Sequence, residues 1–375
     1  MRILHVLNHA RRQNGNVHAA VDLACAQARL GHEVTLCSGG GDFDPLLRGE
    51  QVSVELVPEL ASAKQAPLAL LRLARLVGAR RVDIVHAHMM RSAGLAWAAT
   101  RFRRARLVTT VHNAFERSAV LMGLGDRTIA VSAAVGEGMR RRGVPAGRLR
   151  VVLNGTLGTA RHAWEPPPVP LELQRPAVLS VCGLHPRKGV PDLLAGFSLA
   201  RRTRPELHLY VVGGGPFAAE YRAAIPAADQ GHVHFCGSHA DPRPFMLGAD
   251  VFVLASHADP APLVISEARE AGLAVIATRV DGVPELLEAG QAGLLVAPHA
   301  PQEIARALGT VLADARSLQA HRARSQENLQ HLSLRRVAEQ TLAVYREVCR
   351  PPRLAPVMLP VRLGDKRDRP APSKV

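Results

Sequence analysis

Two carboxylates and two cations carry the clearest chemistry in the chain. Asp259 and Glu267 stand eight positions apart in ADPAPLVISEARE, and Arg187 and Lys188 are adjacent in LHPRKGVPDLL. An ionised carboxylate only accepts hydrogen bonds, through two oxygens, which suits it to the hydroxyls of a sugar or ribose. A guanidinium and an ammonium near a helix N-terminus suit a diphosphate, because side-chain charge and backbone amides then act on the same oxygens. A third acid, Glu285, follows in DGVPELL, where Pro284 fits the first turn of a helix. Each also has a plain structural use: Asp259 as a helix cap, Glu267 as a solvated helix residue, Lys188 as an exposed lysine.

The elements that must position these groups form a repeated pattern. From Asp250 to Val296 the chain reads as strand (251–255), polar proline-bearing loop (256–262), helix and second strand (274–277). Such alternation makes a parallel sheet whose ligands bind in the loops at the strands' carboxyl ends. If the helix begins near Pro262, Asp259 and Glu267 are about two turns apart and face one cleft. The N-terminus repeats the pattern: a strand at 3–7, the loop NHARRQNGNVHAA, a helix ending near Gly31 and the strand HEVTLCS. In that loop Gly15, between Asn14 and Asn16, lets the backbone approach a phosphate or sugar closely. DIVHAH and RLVTTVHNA are further strands, which place His86, His88 and His112 at carboxyl ends. The five prolines in the span from Arg161 through Pro176 cannot sit inside regular elements and mark an interdomain linker. Asn154 and Gly155 read as a turn.

The order Asp259, seven residues, Glu267, then AGLAVIAT, DGVPE and AGLLV resembles the nucleotide-sugar half of glycosyltransferase family 4, the retaining enzymes of GT-B fold. The resemblance covers roughly residues 1–350. It implies an α/β protein of two Rossmann-like, doubly wound domains facing across a cleft: an acceptor-side domain at 1–160, the linker at 161–176 and a nucleotide-sugar domain at 177–332. It also implies a helix at 333–350 crossing back to the first domain, followed by a disordered tail at 351–375, rich in Pro and Arg. By the same resemblance Glu267 holds the ribose, Asp259 contacts donor sugar hydroxyls, His112 lies beside the donor sugar, and Lys188 with Arg187 neutralises the diphosphate. His112, Lys188, Arg187 and Asp259 are the implied catalytic set. Gly15, Gly183, Gly237, Ser238, Pro262, Leu263, Val264 and Glu285 complete the donor-binding set with Lys188 and Glu267. Three positions depart from the family pattern: Asp259 where glutamate is usual, Asn14 before Gly15 where two glycines are common, and Gly183 where many members carry arginine.

Composition narrows the alternatives. A chain of 375 residues, 47% hydrophobic and 21% charged, is globular and long enough for two domains. No apolar run approaches the roughly eighteen residues of a membrane span, and MRILHVLNHA reads as a strand without a signal-peptide cleavage region. A soluble cytoplasmic protein is therefore expected. Five scattered cysteines, with no pair at metal spacing, indicate a reducing compartment. His86 and His88 would share a strand face, but no third ligand is evident, so no metal and no cofactor are expected. Residues 1–175 carry 24 Lys+Arg against 13 Asp+Glu, while residues 176–330 carry 13 against 15. Basicity on the first domain points to an acidic partner there, an anionic membrane surface or nucleic acid. With only 3% aromatic residues and no recognised motif, nucleic acid is disfavoured. The leading expectation is a metal-independent transferase moving a sugar from a nucleoside diphosphate to a glycan or lipid-linked acceptor, peripheral on the inner membrane face. A sugar-nucleotide epimerase of the same fold and a non-catalytic basic binding protein are the alternatives.

Overall fold

The computed structural model describes residues 1–12, 14–164 and 167–349. The tail expected at 351–375 lies outside the described residues, as does Arg350.

Two parallel sheets organise the chain. The first contains β1 (Arg2–Val6), β2 (Glu33–Ser38), β3 (Ser53–Leu56), β4 (Ile84–Ala87), β5 (Arg106–Val111), β6 (Arg127–Ala130) and β7 (Leu149–Val151), in the order β3-β2-β1-β4-β5-β6-β7. The second contains β8 (Ala177–Val181), β9 (His208–Val212), β10 (Val233–Gly237), β11 (Val251–Leu254), β12 (Ala274–Thr278) and β13 (Leu294–Val296), in the order β10-β9-β8-β11-β12-β13. Helices cover both faces, so central strands are buried on both sides instead of alternating, and every residue of β4, β11 and β12 is buried. Strand order reverses beside the first strand of each sheet, β1 lying between β2 and β4 and β8 between β9 and β11. Crevices open at such reversals, at the strands' carboxyl ends.

Local chemistry starts the helices that flank these crevices. Asn14 caps the helix Gly15–Arg29 by accepting from the amide of Asn16 at 3.1 Å. Ser132 caps Ala133–Arg141 through the amide of Val135, and Pro262 stands at the N-cap of Leu263–Glu270. Gly189 joins the turn Pro186–Lys188 to the helix Val190–Arg201 with φ of +62°, and a Cβ there would lie 2.0 Å from the Ala255 carbonyl oxygen. Only glycine supplies both the left-handed backbone and that close approach to the end of β11.

The proline-rich stretch is no free tether where it is described. A short helix, Ala160–Trp164, opens it. Beyond it Leu171 donates to the Pro244 carbonyl at 3.0 Å, the amide of Gln174 to the Tyr210 hydroxyl at 2.9 Å, and Arg175 pairs with Asp250 at 2.7 Å. These contacts strap 171–175 onto the second domain. The C-terminal helix Leu334–Cys349 packs on the first domain, with Val337, Ala338, Leu342, Tyr345 and Val348 in the core that also holds Ile3, Val21 and Ile84. Glu347 on that helix takes both Arg127 (2.9 Å) and Arg150 (2.6 Å).

Candidate active site

A cleft of about 580 Å³ lies between the carboxyl ends of the two sheets, within the range of small-molecule sites. Its second-domain wall is set by the loops after β8, β9, β10 and β11. After β8, His185 accepts from the Arg187 amide at 3.3 Å, which curls the chain into the turn Pro186–Lys188 and aims both cations inward. Lys188 Nζ meets Asp259 Oδ2 at 2.5 Å. Asp259 is held from two more sides: Oδ2 accepts from Ser256 Oγ at 2.9 Å, and its amide donates to Asp281 at 2.7 Å. Arg187 donates to the Ala258 carbonyl at 3.3 Å and stacks its guanidinium 4.4 Å from the Phe115 ring of the first domain. Leu263 and Val264 also line the cleft. No acidic side chain occupies the first turn of their helix, so its positive end faces the cleft.

Glu267, one to two turns further on, is buried and accepts from Arg161 Nη2 at 3.3 Å. Arg161 also forms a bidentate pair with Asp22 of the first helix, at 2.9 Å from both Nε and Nη2, and Thr159 donates to the same carboxylate at 2.6 Å. Burial pushes the Glu267 carboxyl above its ordinary range despite the guanidinium beside it. The neighbouring Glu270 is pushed up to about 7, chiefly by burial, while Thr156 donating to it pulls the other way.

The first-domain wall comprises Asn14, Gly15, Asn16 and His18 at the start of the first helix, Phe43 and Leu46, and His112, Asn113 and Phe115 after β5. Burial pushes His112 down to about 4, so its ring is neutral near pH 7. Its Nε2 lies 3.2 Å from His88 Nδ1.

Of the residues singled out from sequence, His112, Arg187, Lys188, Asp259, Glu267, Gly15, Gly183, Ser238, Pro262, Leu263 and Val264 all line this cleft. Gly237 and Glu285 are not among its lining residues. Gly237 takes a φ of +76° that turns the chain so that Ser238 reaches the wall. Glu285 instead accepts from the amide of Ala133 at 2.9 Å, placing its charge at the N-terminus of a first-domain helix with no acid of its own in the first turn. In this structure it serves as an interdomain cap. Asn154 is more than a turn residue, since its amide donates to the Ala261 carbonyl across the cleft at 3.1 Å.

Reasoning from sequence missed Arg161, His162, Asp241 and Arg243, which also line the cleft. One signal for Arg161 was present: Asp22 interrupts the apolar run VDLACA, and a buried carboxylate there requires a cation. The third imidazole missing beside His86 and His88 is His5, which lies opposite His86 across β1 and β4. Suitable ligand atoms of His5, His86 and His88 lie within 4.8 Å of one another, as do those of Asp192, His257 and His299. In the first group all six ring nitrogens already have hydrogen-bond partners.

Residues 175–314 match the family described as "Glycosyl transferases group 1", and residues 14–156 match "Glycosyltransferase Family 4". The chain is 30% identical over 259 residues to the alpha-maltose-1-phosphate synthase of Mycolicibacterium smegmatis, covering 62% of this chain and 65% of that one. It is 32% identical over 270 residues to the GDP-mannose-dependent alpha-(1-6)-phosphatidylinositol monomannoside mannosyltransferase of the same organism, covering 67% and 66%. The match therefore spans just under two thirds of the length of each relative. Among solved structures, Anabaena HepE in complex with UDP-glucose superposes with a TM-score of 0.76 at 19% identity, covering 92% of this chain and 100% of that one. At that identity the likeness speaks for the fold alone: two parallel-sheet domains in the GT-B arrangement.

Proposed function

The chain belongs to the group 1, family 4 glycosyltransferases, and from that premise we propose that it moves a sugar from a nucleoside diphosphate to a glycan or lipid-linked acceptor, with retention, in cell-surface polysaccharide or glycolipid synthesis. The observation that carries the reading is the convergence of Lys188, Arg187, Asp259, Glu267 and His112 on one cleft at the reversal points of two sheets. A relative that uses GDP-mannose and a structural neighbour that holds UDP-glucose support a nucleoside diphosphate hexose as donor.

Each residue has work to do in such a transfer. The nucleoside lies along the second-domain wall, its ribose on Glu267 and its base toward Ser238. The bond from the anomeric carbon to the phosphate oxygen breaks, and its electron pair leaves with the diphosphate. Lys188, Arg187 and the positive end of the helix Leu263–Glu270 are preorganised to receive that charge. The acceptor hydroxyl attacks from the same face and passes its proton to the departing phosphate. Asp259 and neutral His112 hold sugar hydroxyls on either side. Thermal-shift screening of nucleotide sugars, followed by mass spectrometry of products with lipid-linked and glycan acceptors, tests the reading. Conversion of the donor to an isomer without any acceptor would favour the epimerase instead.

The surface of the first domain favours a membrane-bound acceptor. Leu68 and Leu71 are exposed on the helix Ala66–Ala79, which packs against the helix Met90–Thr100 bearing exposed Trp97. Phe102, just beyond, is 93% exposed. Arg101 lies over the Trp97 ring, and Arg103 reaches the Gly78 end of the first of these helices. Apolar tips ringed by arginines suit an anionic bilayer surface. By contrast Arg72, Arg140 and Arg141 are engaged with Glu59 and Glu137. Sedimentation with anionic vesicles at low salt, lost at high salt and with neutral vesicles, is the expected result; equal binding to both vesicle types would remove the docking idea.

A further inference from the structure

Behind His112 a file of buried polar side chains runs from the cleft to the C-terminal helix. His112 Nε2 lies 3.2 Å from His88 Nδ1, His88 Nε2 lies 2.8 Å from His5 Nδ1, and His5 Nε2 lies 2.8 Å from Gln27 Oε1. Gln27 Nε2 donates to the Tyr345 hydroxyl at 3.3 Å. That hydroxyl is 2.5 Å from His86 Nδ1, and His86 Nε2 is 2.7 Å from Thr110 Oγ1. Burial pushes His5 and His112 down to about 4 and His86 and His88 well below their ordinary value, so each ring is neutral near pH 7 and carries one N–H.

A chain of neutral imidazoles has a direction. The Gln27 carbonyl only accepts, so His5 carries its proton on Nε2 and leaves Nδ1 bare. His88 must then donate from Nε2, which bares its Nδ1, and His112 must donate from Nε2. What remains for the cleft is the bare Nδ1 of His112, which has no hydrogen-bond partner among the described residues. On the other branch the Gln27 amide donates to Tyr345, Tyr345 donates to His86 Nδ1, and His86 donates to Thr110. With the Gln27 amide oriented as it stands, every group is satisfied in this sense. Rotating the Gln27 amide by half a turn reverses both branches and puts an N–H of His112 in the cleft.

We propose that Gln27, held by Tyr345, sets the tautomer of His112 through His5 and His88, so that His112 offers the donor sugar a hydrogen-bond acceptor. The four residues behind His112 are positioning residues. A sugar hydroxyl that donates to Nδ1 turns its oxygen's negative end toward the ring carbon that becomes cationic, an interaction stronger in the transition state than in the ground state. The inference rests on the donor-site reading of the cleft for its consequence, though not for the tautomer itself.

The test uses the full chain with 15N-labelled histidine, whose long-range ring correlations distinguish Nε2–H from Nδ1–H, with the His112 signals assigned through His112→Asn. Wild-type His112 is expected as the Nε2–H tautomer. Gln27→Leu should populate the Nδ1–H form and lower kcat roughly ten- to a hundredfold while the donor KM moves less than about threefold, because a mis-set tautomer harms the chemical step more than binding. Gln27→Glu, whose carboxylate also only accepts, should keep Nε2–H and restore most of kcat. Tyr345→Phe, which removes one hydroxyl from the far end, should give a smaller shift in the same sense. An Nδ1–H tautomer in the wild type, or a population unmoved by Gln27→Leu, overturns the proposal. If the tautomer responds as described but no nucleotide sugar is turned over, the donor-site reading fails and the relay stands.

Discussion

Lys188 and Asp259 are each other's partners at 2.5 Å, yet an ammonium has three donors. Two remain to meet a diphosphate without breaking the pair. Charge builds on that diphosphate as the bond breaks, so Lys188→Ala is expected to lower kcat by about 10²–10³ with a smaller change in donor KM. Initial-rate kinetics check this, and a change confined to KM would make Lys188 a binding residue only. Glu267 is tested by a different measurement. Glu267→Ala should weaken nucleotide binding by a lost contact worth on the order of 1–3 kcal/mol, read by calorimetric titration, and an unchanged Kd would assign the ribose elsewhere. Both side chains were legible as candidates because their neighbours in sequence, Gly189 and Pro262, set a turn and a helix start by local chemistry. Glu285 was equally legible as a helix residue, but its partner, the Ala133 amide, stands 152 positions away and was not.

Among elements, the tie between the first helix, the short helix Ala160–Trp164 and the helix Leu263–Glu270 rests on Arg161. Its side chain is only 12% exposed and spans Asp22 and Glu267. Asp22→Ala leaves that cation buried with Glu267 alone at 3.3 Å, and removing one partner of a buried pair costs about 3–5 kcal/mol. Chemical denaturation should show that loss. The triple variant Asp22→Ala, Arg161→Met, Glu267→Gln should recover much of it, since neither the buried cation nor either of its carboxylates then remains. A loss below about 1 kcal/mol in the single variant would mean that water replaces the carboxylate. The C-terminal helix plays a parallel part, bringing Glu347 to Arg127 and Arg150 and Tyr345 to Gln27 and His86.

For the whole molecule, buried histidines set the response to acid. His5, His18, His112 and His162 are pushed down to about 4, first by burial, and His86 and His88 are held well below their ordinary value by the same cause. Below pH 6.5 the unfolded chain binds protons that the native chain refuses, so stability falls as pH falls from about 6.5 to 4. A buried imidazole held neutral down to about 4 contributes on the order of 3 kcal/mol at neutral pH, a large share of a usual total of about 5–15 kcal/mol. Glu270 runs the other way: its neutral form is favoured in the fold, and its contribution is lost as pH rises from about 4.5 to 7. Burial raises Glu267 and Glu285 in the same sense, but three carboxyls do not offset six imidazoles, so circular dichroism is expected to show unfolding above pH 4.5, and a protein fully folded at pH 4 would contradict neutral burial of the cluster. By itself the sequence determined the two parallel sheets and the turns at their strand ends, because hydrophobic period, glycine and proline act over a few residues, while its family resemblance pointed to eleven of the residues that line the cleft. Only the tertiary structure decided the partners of the buried charges and imidazoles. Arg161 finds Asp22 and Glu267 at separations of 139 and 106 residues, and His5 finds His88 at 83. Packing brings such pairs together to satisfy polar groups that burial has taken from water, and no local pattern records which of the available partners is met.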